Sequence, residues 1–169
     1  EAVDFIGRNK DKPFFLLLAY NAVHSPMQGA DAYMEKFAHI QDIHRRIFAA
    51  MLSNMDNGVG AVLAKLRREQ LEENTLIFFL SDNGGHEASP NTPLRGKKGT
   101  YWEGGIRVPT VISGPGIEAG SQCDVPIVQW DFLPTFHDLS GSKAPLPKGV
   151  DGGSLRDVFV NGNQGKVNR

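Results

Sequence analysis

The chain has 169 residues, a formal net charge of −1 and a single cysteine. This length fits one domain that buries roughly 70% of its unfolded surface, so a hydrophobic core can form without disulfides. Charges of both signs are mixed along the chain, which argues against a nucleic-acid partner or a polybasic membrane-binding face. The longest apolar run falls well short of the roughly 20 residues that span a bilayer. We therefore expect no membrane span and a small-molecule partner.

The first half of the chain predicts a strand, a long helix and a second strand. Residues 14–20 form an apolar run after a polar turn, which is typical of a buried strand, and His24 lies in the loop that follows. Apolar residues then recur every three or four positions, which predicts an amphipathic helix over residues 41–69. Gly58 costs about 1 kcal/mol in mid-helix relative to alanine, so it indicates a close contact or a kink. Together these elements favour a strand–helix–strand crossover.

The second strand, over residues 76–80, runs directly into a polar turn that begins at Ser81. Its unbroken apolar run predicts that both faces are covered, as in an α/β sheet flanked by helices. Ligands in such sheets bind beyond the carboxyl ends of the strands, where Asp82 and Asn83 lie. Their oxygens suit Ca²⁺ or Mg²⁺ better than zinc or copper. The alternative is that Asp82, Asn83 and the two glycines after them form only a turn.

The remaining chain predicts a long loop and several short elements. Residues 85–109 are polar and carry several basic side chains, which indicates either an anionic substrate or a solvated basic loop. Strands are expected over residues 108–113 and 125–128. Asp131 is the expected N-cap of a helix that stops at Gly141, and Pro134 fits its first turn. A short helix over 153–160 and a frayed tail over 162–169 complete the expectation.

Three sequence blocks together resemble the type I sulfatases, the arylsulfatase and N-acetylgalactosamine-6-sulfatase group of the alkaline phosphatase superfamily. The resemblance implies an α/β segment of an alkaline-phosphatase-like sandwich, with a central, mostly parallel sheet flanked by helices. It also implies that residues 1–169 are a single partial catalytic domain. The blocks are Pro13-Phe14-Phe15-Leu16 running to Ala22-Val23-His24-Ser25-Pro26, then Ser81-Asp82-Asn83-Gly84-Gly85, then Pro93-Leu94-Arg95-Gly96-Lys97-Lys98-Gly99-Thr100-Tyr101-Trp102-Glu103-Gly104-Gly105-Ile106-Arg107-Val108-Pro109.

The resemblance also assigns roles to particular residues. Asp82 and Asn83 match two calcium ligands of the family, with Mg²⁺ less favoured. Lys98 and His24 match the catalytic-site residues that contact the sulfate, whereas Lys97 matches a variable position. Two further residues are predicted to line the substrate pocket, namely His86 and Asn91.

The chain also departs from the family pattern. It contains neither the Cys-x-Pro-x-Arg segment, whose cysteine becomes the formylglycine nucleophile, nor the early Asp-Asp pair of the calcium shell. We therefore expect an internal-to-C-terminal segment of a sulfatase, inactive alone, with formylglycine upstream. The expected substrate is a sulfate ester, including a sulfated carbohydrate. Family habit implies a secreted, periplasmic or lysosomal protein, although this segment has no signal peptide.

Two alternatives remain open at this point. A phosphodiesterase or phosphonate hydrolase of the same superfamily would share the metal site. A noncatalytic, sulfatase-derived binding module would share the fold without the reaction.

Overall fold

A computed structural model describes residues 1–86 and 88–169, which fall into two compact units, Glu1–Val111 and Ile112–Arg169. The prediction of a single partial catalytic domain stays a prediction. Short 3₁₀ turns lie at Glu72–Asn74, Gln129–Asp131 and Gly162–Gln164. The helices and strands, in chain order, are α1 (Ala2–Asn9), α2 (Asp31–Lys36), α3 (Ile43–Arg68), β1 (Ile77–Leu80), α4 (Glu103–Ile106), β2 (Thr110–Ser113), α5 (Phe132–Leu139) and α6 (Arg156–Asn161).

Helix α3 is the centre of the first unit. The predicted helix is confirmed to within two residues at its start and one at its end. It begins after Asp42, whose carboxylate accepts the backbone N–H of Arg45 at 2.7 Å and caps the helix. Helices α1 and α2, which the sequence analysis did not predict, both pack on α3. The buried apolar side chains of this unit are Ile6, Ala50 and Leu66.

Helix α3 is also the one described helix that is long and apolar enough to cross a membrane by length and composition. Its apolar residues are spaced along one face and are not contiguous. The mean hydropathy of the helix is therefore high, although the helix contains no long uninterrupted apolar run. One such helix by itself does not indicate a membrane span, because core helices of globular proteins have the same length and composition. The expected absence of a membrane span stays a prediction.

The glycine in the middle of α3 is explained by a close contact. The helix runs without a break, and a Cβ built on Gly58 would lie 3.1 Å from the hydroxyl oxygen of Tyr20. A Cβ on Gly60, two residues later, would meet nothing within 4 Å. Of the two explanations predicted for Gly58, a close contact or a kink, the close contact is therefore confirmed.

These two glycines make a matched pair of substitutions. Gly60→Ala is expected to raise the free energy of unfolding by about 0.5–1 kcal/mol, because alanine restricts the unfolded chain and favours helix. Gly58→Ala should gain less or destabilise, because Tyr20 must move. Urea denaturation of both variants measures the difference. An equal gain in both would show that the contact with Tyr20 is unimportant.

The two described strands form one small sheet in which β1 pairs with β2. The strand predicted over 76–80 is confirmed from Ile77, and Pro109 lies just before β2, as expected for a residue without a ladder donor. The prediction that both faces are covered is wrong within the described chain, since Phe79 is 45% exposed. A central, mostly parallel sheet is not seen among the described residues.

The strand predicted over residues 14–20 is also wrong, because a strand requires a hydrogen-bonded neighbour and no described residue supplies a ladder there. Burial alternates only over residues 14–17 of this segment, and residues 18–20 are all exposed. Phe14 packs edge-on against Phe5, with ring centroids 5.8 Å apart, whereas Phe15 and Leu17 are 67% and 77% exposed. The predicted strand–helix–strand crossover is consequently absent from the described residues.

The second unit is built around α5 and α6. Helix α5 confirms the predicted helix, whereas α6 begins three residues later than expected and the strand predicted over 125–128 is absent. Thr135 joins the two helices: its buried hydroxyl donates to the carbonyl of Asp131 at 2.7 Å and accepts the N–H of Leu155 at 2.9 Å. Leu155 and Val158 supply the buried apolar contacts.

Asp131 has a different role from the predicted helix cap. It occupies the N-cap position of α5, but its side chain makes no capping bond and is fully buried. The carboxylate accepts the N–H groups of Val128 and Gly153 at 2.9 and 3.1 Å. Arg169 adds two bonds, from Nε at 2.9 Å and from Nη2 at 2.7 Å. The tail, predicted to fray, is therefore held at Arg169.

Candidate active site

The turn after β1 is locked against the start of α4. Ser81 separates the strand from Asp82 and Asn83, and its hydroxyl donates to the carbonyl of Asn83 at 2.8 Å. Gly84 then donates its N–H to the carbonyl of Gly105 at 2.9 Å. A Cβ on Gly84 would lie 1.8 Å from the Gly104 carbonyl oxygen, so only glycine allows this approach. The exposed carboxylate of Asp82 is thus carried by a fixed backbone.

Asn91 stabilises the same turn through hydrogen bonds from its side chain to the backbone of Gly85. Its Oδ1 accepts the N–H of Gly85 at 2.8 Å, and its Nδ2 donates to the carbonyl of Gly85 at 3.0 Å and to that of Gly96 at 3.2 Å. The side-chain amide therefore supplies the hydrogen-bond partners that the backbone N–H and carbonyl groups of a neighbouring strand would otherwise supply. Its predicted place in a substrate pocket is untested, and this supporting role is one that sequence analysis missed.

Lys98 stands on a tight turn next to Gly85. The N–H of Thr100 donates to the carbonyl of Lys97 at 3.0 Å, and Gly99 has a φ of +85°, a backbone conformation that glycine accommodates best. The N–H of Lys98 donates to the carbonyl of Gly85 at 3.0 Å. The lysine backbone is therefore tied to the segment that begins with Asp82.

Lys98 and His24 meet directly although 74 residues separate them in sequence. The Lys98 Nζ lies 3.0 Å from Nε2 of His24. The other ring nitrogen, Nδ1, lies 2.8 Å from the carbonyl oxygen of Ser25, which can only accept, so Nδ1 carries the hydrogen. Nε2 of the neutral ring then accepts from the ammonium. Two predicted site residues are thus brought together with a defined tautomer.

The remaining predicted residue, His86, is exposed, and its carbonyl accepts the N–H of Ser89 at 2.9 Å. Arg45 reaches from the first turn of α3 and donates to the carbonyl of Ala88. That contact links the long helix to this loop. No described contact tests the predicted role of His86 in substrate binding.

The donor chemistry of Asp82 and Asn83 suits calcium only in part. Carboxylate and amide oxygens are the ligands that this ion prefers, but it takes six to eight of them. Among the described residues, no group of three or more histidine, cysteine, aspartate or glutamate side chains could hold a metal. Asp82 and Asn83 can therefore supply part of a calcium shell and cannot form one by themselves.

Comparison with protein families identifies the chain. The family model described as Sulfatase matches residues 1–142, which is most of the sequence. The chain belongs to the sulfatase family. The matched region includes every residue discussed above as a site candidate, so the resemblance inferred from the motifs is confirmed.

Individual relatives of this sulfatase chain agree. Arylsulfatase J of Mus musculus is 38% identical over 154 residues, which cover 89% of this chain and 26% of the relative. Steryl-sulfatase of Rattus norvegicus is 37% identical over 171 residues, covering 95% of this chain and 29% of the relative. The chain thus spans under a third of the length of these curated relatives.

Solved structures place the chain in the same fold. The crystal structure of Ps i-CgsB in complex with k-i-k-neocarrahexaose matches with a TM-score of 0.88 and 39% identity, covering 94% of this chain and 36% of that one. The structural neighbours are sulfatases with an alkaline-phosphatase-like fold, and the predicted fold family is confirmed at that level.

Proposed function

We propose that this chain carries the sulfate-binding half of a sulfatase active site. The observation that supports this most directly is the 3.0 Å contact between Lys98 Nζ and His24 Nε2. The two groups come from separate loops and present a positive charge and an imidazole at one point. A sulfate monoester presents anionic oxygens that such a pair can bind with charge-assisted hydrogen bonds.

Lys98 would supply the positive charge at this site, and His24 would supply a further hydrogen bond. The ammonium of Lys98 is a compact positive charge that can donate to a sulfate oxygen in place of Nε2 of His24. It would also stabilise charge that develops on the sulfate oxygens in the transition state, as preorganised donors do. Once it is protonated at Nε2, His24 can donate to a sulfate oxygen or to the leaving oxygen.

Asp82 and Asn83 would contribute two oxygens to a calcium site beside this pair. When bound, calcium would neutralise part of the charge on the sulfate. The nucleophile in this proposal is a formylglycine made from a Cys-x-Pro-x-Arg segment, which these 169 residues do not contain. We accordingly expect the chain to be inactive alone and active as part of a complete sulfatase.

The substrate in this proposal is a sulfate ester on a carbohydrate. Support comes from the similarity to Ps i-CgsB, whose structure holds k-i-k-neocarrahexaose. A secreted, periplasmic or lysosomal location remains a proposal from family membership.

Lys98→Ala tests the sulfate site. We expect the affinity for inorganic sulfate to fall at least about tenfold, because a hydrogen bond to a charged group contributes about 1.5–3 kcal/mol. Lys97→Ala is the matched control, since it removes the same charge one residue away, and it should change the affinity less than about twofold. Titration of the His24 ring resonances by NMR measures both.

Equal losses in the two lysine variants would contradict the proposal, because they would show general charge attraction and no defined site. Tighter binding of inorganic phosphate than of sulfate in the same titration would favour the phosphodiesterase alternative.

A further inference from the structure

We propose that Asn91 is a positioning residue for the sulfate site proposed above, on which this inference rests. Its side-chain amide fixes the Lys98 turn against the turn after β1, and so keeps the lysine ammonium at the imidazole of His24. Asn91 acts on the site through these two backbone segments, and its own amide has no need to touch the anion. The hydrogen bonds of the amide, the packing around it and the Lys98–His24 contact support this role.

Both hydrogens of the Asn91 amide are used by backbone carbonyls. Nδ2 lies 3.0 Å from the carbonyl oxygen of Gly85 and 3.2 Å from that of Gly96. An asparagine amide has two donor hydrogens, so these bonds occupy its donor capacity. Oδ1 accepts the N–H of Gly85 at 2.8 Å. This use of the amide favours positioning of the backbone over direct donation to a sulfate oxygen.

The Lys98 turn is held at two points by the segment that contains Gly85 and Asn91. The Gly85 carbonyl accepts from Nδ2 of Asn91 and also from the backbone N–H of Lys98, each at 3.0 Å. Gly96, whose carbonyl Asn91 also binds, lies two residues before Lys98 in the chain. A single hydrogen bond would let the turn pivot. Attachment at residues 96 and 98 together restricts its orientation.

Close packing limits the freedom of the Asn91 amide itself. A Cβ built on Gly85 would lie 2.3 Å from the carbonyl oxygen of Ser89 and 2.9 Å from Oδ1 of Asn91, so these groups are in close contact. The N–H of Leu94 donates to the Asn91 carbonyl at 2.8 Å, which holds the main chain that carries the amide. The side chain is half-buried, so its hydrogen bonds are partly shielded from water.

The position of Lys98 decides how well an anion can bind. Its Nζ lies 3.0 Å from Nε2 of His24, and one sulfate can use both groups only while the two loops keep this spacing. A lysine on a loose turn would have to be ordered when the anion binds, which lowers the affinity. Asn91 therefore contributes to sulfate affinity by ordering the turn before the anion arrives.

Titration of the whole chain with inorganic sulfate, followed by the His24 ring resonances, tests this role. Asn91→Ala should weaken sulfate binding about fivefold, less than Lys98→Ala, because the ammonium is still present but is no longer held in place. Without sulfate, the Nε2 nitrogen resonance should move toward that of an imidazole nitrogen that accepts no hydrogen bond. Asn9→Ala is the control, because Asn9 also donates to a backbone carbonyl, that of Phe5 at 2.8 Å, and it should change neither readout.

Asn91→Asp tests the same role without a change in side-chain size. The ionised aspartate keeps an acceptor for the Gly85 N–H but cannot donate to either carbonyl. Thr92→Asp is its control, because it places the same charge at the neighbouring exposed residue. Asn91→Asp should weaken sulfate binding at least about threefold more than Thr92→Asp, and only Asn91→Asp should shift the Nε2 resonance.

An unchanged Nε2 resonance in a folded Asn91 variant would overturn the assignment. A loss of sulfate affinity no larger than that of the matched control would overturn it as well, since a general loss of stability or added charge would then explain the result. Failure of the proposed function is distinguishable. If Lys98→Ala left sulfate binding intact, the sulfate site would fail, whereas the Nε2 resonance of the sulfate-free protein would still report whether Asn91 holds Lys98 at His24.

Discussion

Gly84→Ala is expected to lower the free energy of unfolding by about 3 kcal/mol and to abolish sulfate binding. The new methyl carbon would lie 1.8 Å from the Gly104 carbonyl oxygen and 2.9 Å from the Gly105 Cα. Both are backbone atoms, so rotation of a side chain cannot relieve the clash. The hydrogen bond from Gly84 to the Gly105 carbonyl, 2.9 Å in the native turn, would have to break.

Urea denaturation and hydrogen exchange of the Lys98 amide measure this effect. That amide donates to Gly85, so its exchange should accelerate when the turn separates from α4. Gly60→Ala is the control, because it makes the same chemical change where nothing lies within 4 Å. A Gly84→Ala variant as stable as wild type would mean that the turn and α4 can move apart freely.

Asp131→Asn should destabilise the second unit by about 2–3 kcal/mol, because it removes the charged acceptor from buried hydrogen bonds, although the partner Arg169 is 37% exposed. The wild-type carboxylate is fully buried and accepts bonds from Arg169 and from two backbone N–H groups. Asparagine has only one acceptor oxygen, and its amide N–H₂ would face other donors. Exchange of the Leu155 amide, which bonds to Thr135, reports on opening of this unit.

The contribution of Asp131 should disappear in acid. Burial raises the pKa of this carboxyl, but Arg169 and the N–H groups of Val128 and Gly153 outweigh burial and hold the pKa below its usual range. A lowered folded pKa gives stability that is present above the unfolded value of about 3.9 and is lost as the pH falls through the folded value. The stability difference between wild type and Asp131→Asn should therefore shrink below about pH 4.

Asp138→Asn is the control for Asp131. Asp138 pairs with Arg156 at 3.2 Å, but both side chains are partly exposed, so the change should cost about 1 kcal/mol or less. Equal costs at the two positions would show that burial of Asp131 contributes little.

Local patterns predicted the long helix, which needs no distant partner, and the position of β1, whose pairing with β2 they did not show. The periodicity over residues 41–69 predicted α3 because a helix satisfies its own backbone and shows its apolar face every three or four residues. The apolar run into Asp82 predicted β1 and the turn after it. The motif around Lys98 indicated the family, since its glycines, lysine and acidic residue occur at spacings that are specific to the sulfatases.

Sequence alone also identified candidate site residues, but it did not show which of them contact each other. His24 and Lys98 were each indicated by family resemblance, but their 3.0 Å contact depends on loops brought together over 74 residues. The same holds for Asn91, whose amide bonds depend on the path of the loop from Gly85 to Gly96. Hydrogen bonds between distant segments leave no periodic signal.

Tertiary structure decided where the local patterns were ambiguous. The apolar run over 14–20 looks like a strand, yet pairing is a property of two segments, and no described neighbour supplies it. Asp131 fits a helix cap by its position, but its carboxylate turns instead to Arg169, 38 residues later. Composition and spacing thus predicted α3, β1 and α5 and the residue types of the site, whereas long-range contacts decided pairing, burial and the use of each charge.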